Sequence, residues 1–220
     1  MEEKYIDRDL YLIPKEHKTT MIFMHGLGDS PEGWKDVFTS KTYLFLETMK
    51  IILLCAPRIK STFCGQYQNS WFDILDFNKL TEGSINFDDI TKNSERIYKI
   101  IDEEAKLLNN DYSKIYIGGF SQGASMSLNI GLNCNHILGG VLSLSGILFP
   151  KSFNDKNLNK GLKIFCGHGE SDNVIPFDNA KESYKKLNGE NVGIFSFNGM
   201  AHNINQKEME LIKKYFNELY

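Results

Sequence analysis

A five-residue stretch, Gly119-Phe120-Ser121-Gln122-Gly123, constrains this chain more than any other. It reads G-x-S-x-G, and its flanks change character abruptly. Lys114-Ile115-Tyr116-Ile117-Gly118 before it is short and rich in Ile and Tyr, as a buried strand is. Ala124 to Leu132 after it reads as a helix with Leu128 and Leu132 on one face. A strand that turns sharply into a helix through a serine flanked by glycines is the context of a nucleophile elbow. The glycines remove Cβ atoms that would collide at the turn. The helix beyond directs its first N–H groups at negative charge. The alternative is a glycine-rich turn with an ordinary surface serine, so the rest of the chain must decide.

Apolar runs and helical patterns alternate along the chain. Thr20–Met24, Lys50–Cys55, Lys114–Gly118, Gly140–Ser145, Leu162–Cys166 and Val192–Phe197 are short and apolar, as buried parallel strands are. Between them come helical stretches at Trp34–Phe38, Asp88–Asn109, Asp178–Leu187 and Gln206–Leu219. The long one repeats Ile90, Ser94, Ile97, Ile101, Ala105 and Leu108 at helical spacing. Such alternation predicts an α/β fold, a mostly parallel sheet with helices on both faces. A chain of 220 residues is expected to form it as a single domain, residues 1–220.

In open α/β sheets, ligands sit beyond the carboxyl ends of the strands. The turns leaving those ends are His25–Asp29, Ser121, His168–Asp172 and Asn198–His202. A serine nucleophile needs a base, and the base an orienting acid, in the chain order Ser, acid, His. Of the histidines after Ser121, His202 follows the last strand and every candidate acid. His168 competes but precedes Asp172, and reads as a loop-stabilising residue. His136 falls on the amino side of the sheet. Among Asp155, Asp172 and Asp178, only Asp172 comes just after a strand, with Glu170 as the fallback. The oxyanion donors expected are the backbone N–H groups of Gln122 and Leu27. The turn holding Leu27 lacks the lysine and the spacing of a phosphate-binding loop.

The stretch from Arg58 to about Gly83 has no clear period and carries many large apolar residues, Phe77 among them. Long loops of this kind are usually functional. Trp71, Phe72 and Leu75 are the expected lining of an acyl-chain channel, the alternative being that they cap the core.

The net charge of −3 gives no case for nucleic acid or an anionic membrane. Cys55, Cys64, Cys134 and Cys166 form no paired spacing, so a zinc site is not expected, and no metal or other cofactor is implied. Cys55 and Cys166 read as free buried thiols. No 18-residue apolar run and no apolar leader occurs, so an integral membrane segment is not expected and a cytoplasmic location is.

The chain resembles the acyl-protein thioesterase/carboxylesterase family of α/β-hydrolases. The resemblance rests on His25-Gly26-Leu27-Gly28-Asp29, Ser70-Trp71-Phe72-Asp73, Gly118 to Gly123, His168-Gly169 with Asp172 and Val174-Ile175-Pro176, and Gly199-Met200 with His202. It spans about residue 18 to the C-terminus. It implies an α/β-hydrolase fold and a cytosolic serine hydrolase. The implied substrates are S-acylated proteins, lysophospholipids or small esters, with transient contact at membranes. By motif, Ser121, Asp172 and His202 match the family triad, and Leu27 and Gln122 its oxyanion positions. Three features depart from the pattern. Ala124 replaces a usual glycine, Met1-Glu2-Glu3 lacks the cysteine some members lipidate, and Ile59–Asn69 does not align.

Overall fold

The structure is a computed structural model. It describes residues 1–40, 47–76, 82–152, 161–187 and 190–217. Phe77, Asp155 and Leu219 lie outside the described residues.

The strands are β1 (Glu2–Ile6), β2 (Asp9–Ile13), β3 (Thr19–Met24), β4 (Met49–Leu54), β5 (Arg58–Lys60), β6 (Tyr67–Asn69), β7 (Ile115–Phe120), β8 (Gly140–Leu144), β9 (Ile164–Gly169) and β10 (Val192–Phe197). The helices are α1 (Glu32–Thr39), α2 (Phe87–Leu107), α3 (Gln122–Asn133), α4 (Phe177–Tyr184) and α5 (Gln206–Asn217). Eight strands form one sheet in the order β1-β2-β4-β3-β7-β8-β9-β10. From β4 to β10 every neighbouring pair is parallel. β1 and β2 form an antiparallel hairpin at the edge, and β2 pairs antiparallel with β4.

The parallel strands send alternate residues to two cores. Ile22 and Met24 of β3 join Ile97 and Ile101 of α2, Met126 and Leu128 of α3, and Ala180 and Tyr184 of α4. Met21 and Phe23, pointing the other way, join Trp34 and Phe38 of α1 and Met209 and Ile212 of α5. Period-two alternation in the strands therefore becomes helices on both faces. α2 starts where the Asn86 side chain accepts from the Asp88 N–H at 3.0 Å, with Asp88 and Asp89 in its first turn.

Two elements departed from the sequence expectation. The hairpin β1–β2 was not foreseen, because β1 is exposed at every position and carries no apolar pattern. Part of the long stretch after Pro57 is a small antiparallel ribbon, β5–β6. Beyond it, Trp71 and Phe72 are buried and Leu75 is exposed.

Candidate active site

Ser121 lies between β7 and α3 with φ 54° and ψ −115°, a left-handed-side conformation that L-residues avoid. Two glycines make the turn possible. A Cβ on Gly123 would lie 2.1 Å from the Met24 carbonyl oxygen, and one on Gly119 2.3 Å from the Gly123 carbonyl carbon. The turn is pinned by the Ser121 N–H donating to the Leu144 carbonyl at 2.8 Å.

His202 arrives on the loop after β10, in which Gly199 takes φ 73°. That loop is laced to the one after β9. The Ser171 N–H donates to the Met200 carbonyl at 2.9 Å, and the Glu170 N–H to the Phe197 carbonyl at 3.0 Å. The two loops bring three side chains into line. His202 Nε2 is 2.9 Å from Ser121 Oγ, and His202 Nδ1 is 2.6 Å from Asp172 Oδ2. Asp172 is buried, and its Oδ1 accepts the N–H groups of Val174 at 2.9 Å and Ile175 at 2.8 Å. With one face of the imidazole beside the Phe120 ring, 4.9 Å between centroids, His202 is half-buried.

The competing residues do not join this line. Glu170 Oε1 accepts from Ser196 Oγ at 2.6 Å on the surface. Asp178 is exposed in the first turn of α4. The His136 ring stacks on Tyr112 at 3.7 Å. His168 is fully buried behind Asp172, where burial holds its pKa below the ordinary histidine value.

The two expected oxyanion residues face the same cavity as Ser121 and His202. The Gln122 N–H begins α3, where a helix offers it no acceptor. Leu27 is set by His25, which is buried and whose pKa burial lowers. The Ala56 N–H donates to His25 Nε2 at 3.1 Å, so His25 Nδ1 carries the proton and donates to the Gly26 carbonyl at 2.6 Å. In a trans peptide the N–H points opposite to the carbonyl, so anchoring Gly26 O turns the Leu27 N–H the other way.

The cavity beside Ser121 measures about 290 Å³. Phe72, Ile74, Ile85, Ile147 and Phe149 form its apolar wall, with Val174 and Ile175 toward the rim. Of the three expected lining residues only Phe72 is there. Trp71 is fully buried under the site, its Nε1–H donating to the His25 carbonyl at 2.8 Å, so it belongs to the core. Leu75 points to solvent at 47% exposure and does not line the cavity. Ile85, Ile147 and Phe149 were missed because they come from separate segments whose convergence no local pattern signals. The Gln122 side chain was missed too. Its Oε1 accepts from the Trp71 N–H at 2.8 Å and its Nε2 donates to the Phe72 carbonyl at 2.8 Å, clamping the wall to the nucleophile turn.

Among the described residues, no group of three or more His, Cys, Asp or Glu is placed to hold a metal ion. None of their helices is long and apolar enough to cross a membrane. Cys55, Cys134 and Cys166 are free and buried, and Cys64 is free and exposed.

A family model described as phospholipase/carboxylesterase matches residues 13–220. The chain belongs to that family. This phospholipase/carboxylesterase family member is 33% identical over 208 residues to acyl-protein thioesterase 1 of Debaryomyces hansenii, covering 89% of this chain and 88% of the relative. It is 30% identical over 224 residues to acyl-protein thioesterase 1 homolog 1 of Dictyostelium discoideum, covering 99% and 96%. Solved structures share its α/β-hydrolase fold. Arabidopsis thaliana SOBER1 superposes with a TM-score of 0.79 at 23% identity, over 91% of this chain and 98% of that one. Zea mays acyl-protein thioesterase 2 does so with 0.77 at 23%, over 96% and 98%. The family member is thus a hydrolase of the thioesterase/carboxylesterase type.

Proposed function

We propose that the chain is a serine hydrolase that removes fatty acyl groups from protein cysteines, acting through Ser121, His202 and Asp172. The observation that carries the reading is the unbroken hydrogen-bonded line from Ser121 Oγ through His202 to Asp172, opening onto an apolar cavity. The name borne by relatives across most of the chain adds to it.

Ser121 Oγ attacks the acyl carbonyl while His202 Nε2 takes its proton. Asp172 accepts from His202 Nδ1–H, which fixes the tautomer and stabilises the imidazolium. The oxyanion forms between the Leu27 and Gln122 N–H groups, where one donor contributes ~3 kcal/mol. Collapse breaks the bond to sulfur, and the leaving thiolate takes the proton from His202. Water then attacks the acyl-enzyme with His202 again as base, releasing the fatty acid and restoring Ser121. The apolar wall accommodates the acyl chain, so the partners are S-acylated proteins.

A second reading, a carboxylesterase or lysophospholipase with lipid-ester substrates, is favoured by the family's own description. Rates on an S-acylated peptide and on a lysophospholipid separate the two. Covalent labelling by a fluorophosphonate tests both, since a protein that stays unlabelled is not a serine hydrolase.

A further inference from the structure

The turn after β3 that carries Leu27 is built on two glycines, Gly26 and Gly28, the latter at φ 80°. Glycine backbone is free to rotate, so the turn keeps one shape only if other segments anchor it. Three anchors come from one short segment. The Trp71 Nε1–H donates to the His25 carbonyl at 2.8 Å, and Asn69 Nδ2 to the Asp29 carbonyl at 2.7 Å. The Gly28 N–H donates to the Asn69 carbonyl at 2.8 Å. These bonds bracket Gly26-Leu27 from both sides. The segment is itself held. The Trp71 N–H donates to Gln122 Oε1 at 2.8 Å, and Asn93 Nδ2 of α2 donates to the Trp71 carbonyl at 2.7 Å. Arg8 donates to Asn69 Oδ1 at 2.6 Å, which leaves the amide nitrogen facing Asp29.

We infer that Trp71 and Asn69 are positioning residues for the oxyanion site: they fix the backbone on either side of Leu27 and tie it to Gln122, the residue of the other donor. This rests on the serine-hydrolase reading above. The His25 carbonyl is held by Trp71 and the Gly26 carbonyl by His25 Nδ1. Those are the last two peptide planes up to the Leu27 N–H, so neither swings. Donors that need not move when charge forms are the ones that stabilise it. A tryptophan that only filled the core would need its rings, not an indole N–H spent on this turn.

Two replacements separate positioning from packing. Benzothienylalanine in place of Trp71 puts sulfur where the indole N–H stands and keeps the ring shape, so only the donor is lost. With p-nitrophenyl butyrate this variant should lose roughly ten- to hundredfold in kcat with little change in KM, the scale of a misplaced catalytic group. Its affinity for butyl trifluoromethyl ketone, whose adduct with Ser121 carries an oxyanion, should fall by a similar factor. Asn69→Ala, at the half-buried end of the segment, removes only the bond to Asp29 and should lower kcat about three- to tenfold, again with KM held. It keeps the inference testable if the first variant does not fold. In ¹H–¹⁵N spectra the Leu27 amide should move in each variant, while the Ile175 amide beside Asp172 stays. That measurement needs no turnover, and fluorophosphonate labelling of the parent reports separately on the serine-hydrolase reading. Parental kcat in a folded benzothienylalanine variant would overturn the inference. So would a rise in KM with the ketone affinity untouched, or a Leu27 amide that stays in place.

Discussion

The cavity beside Ser121 sets a length limit on the acyl chain. An apolar cavity of ~150 Å³ takes one benzene, six carbons, so the ~290 Å³ here corresponds to about a dozen. Each methylene moved from water into the wall contributes ~0.8 kcal/mol, about fourfold in kcat/KM if it is held equally in the transition state. From acetyl to octanoyl esters the six added methylenes set a ceiling of about 3,000-fold. The rise should level off near dodecanoyl. Ile85 lines the cavity and is 5% exposed, so a larger side chain there subtracts from the space. Ile85→Phe adds three carbons. It should remove room for about three methylenes and cut kcat/KM for the dodecanoyl ester by up to ~60-fold, leaving the butyryl ester nearly untouched. Leu75→Ala, exposed and away from the cavity, is the control. The assay is a series of p-nitrophenyl esters against both variants and the parent. A plateau already at butyryl would refute the reasoning, as would an Ile85→Phe loss equal on short and long chains.

Ser121→Ala should lose at least ~10³-fold in kcat with its thermal melting unchanged, and a variant keeping a tenth of the rate would remove Ser121 as nucleophile. Gly123→Ala should fail to fold or melt far lower, because its Cβ would stand 2.1 Å from the Met24 carbonyl oxygen; melting at the parental temperature would show that the turn can open. Glu208 is fully buried, and burial, only partly offset by the Asn205 backbone N–H, raises its pKa to about 8, so its cost to folding is absent below the unfolded value of 4.5 and grows as pH rises toward 8. In urea melts, the stability of Glu208→Gln relative to the parent should therefore improve by about 3 kcal/mol between pH 4.5 and pH 7, and a gap that stays flat would show the carboxyl is not held protonated.

What was legible in the sequence was whatever a short stretch must satisfy by itself. The short continuous apolar runs of β3, β4 and β7 to β10 and the helical stripe of α2 announce their elements, because each must bury its apolar side chains whatever surrounds it. Gly119 and Gly123 announce the elbow, because the backbone there packs so closely on its neighbours that no Cβ fits. Chain order and strand ends were enough to bring Ser121, Asp172 and His202 forward as candidates, and the fold draws them into one hydrogen-bonded line. Tertiary structure decided the rest. β1 carries no burial pattern, since an edge strand open to water needs only backbone pairing with β2. Trp71 and Leu75 are both large and apolar, yet one is sealed in the core and the other faces solvent. Residue type measures the gain on burial, and only the packing of β3, α3 and the 70–76 segment says which side chain collects it. The cavity wall draws Ile85, Ile147 and Phe149 from separate segments, and Asp172 meets His202 only once the loops after β9 and β10 have closed on each other. Contacts between distant segments carry no local periodicity, so they exist only in the folded chain.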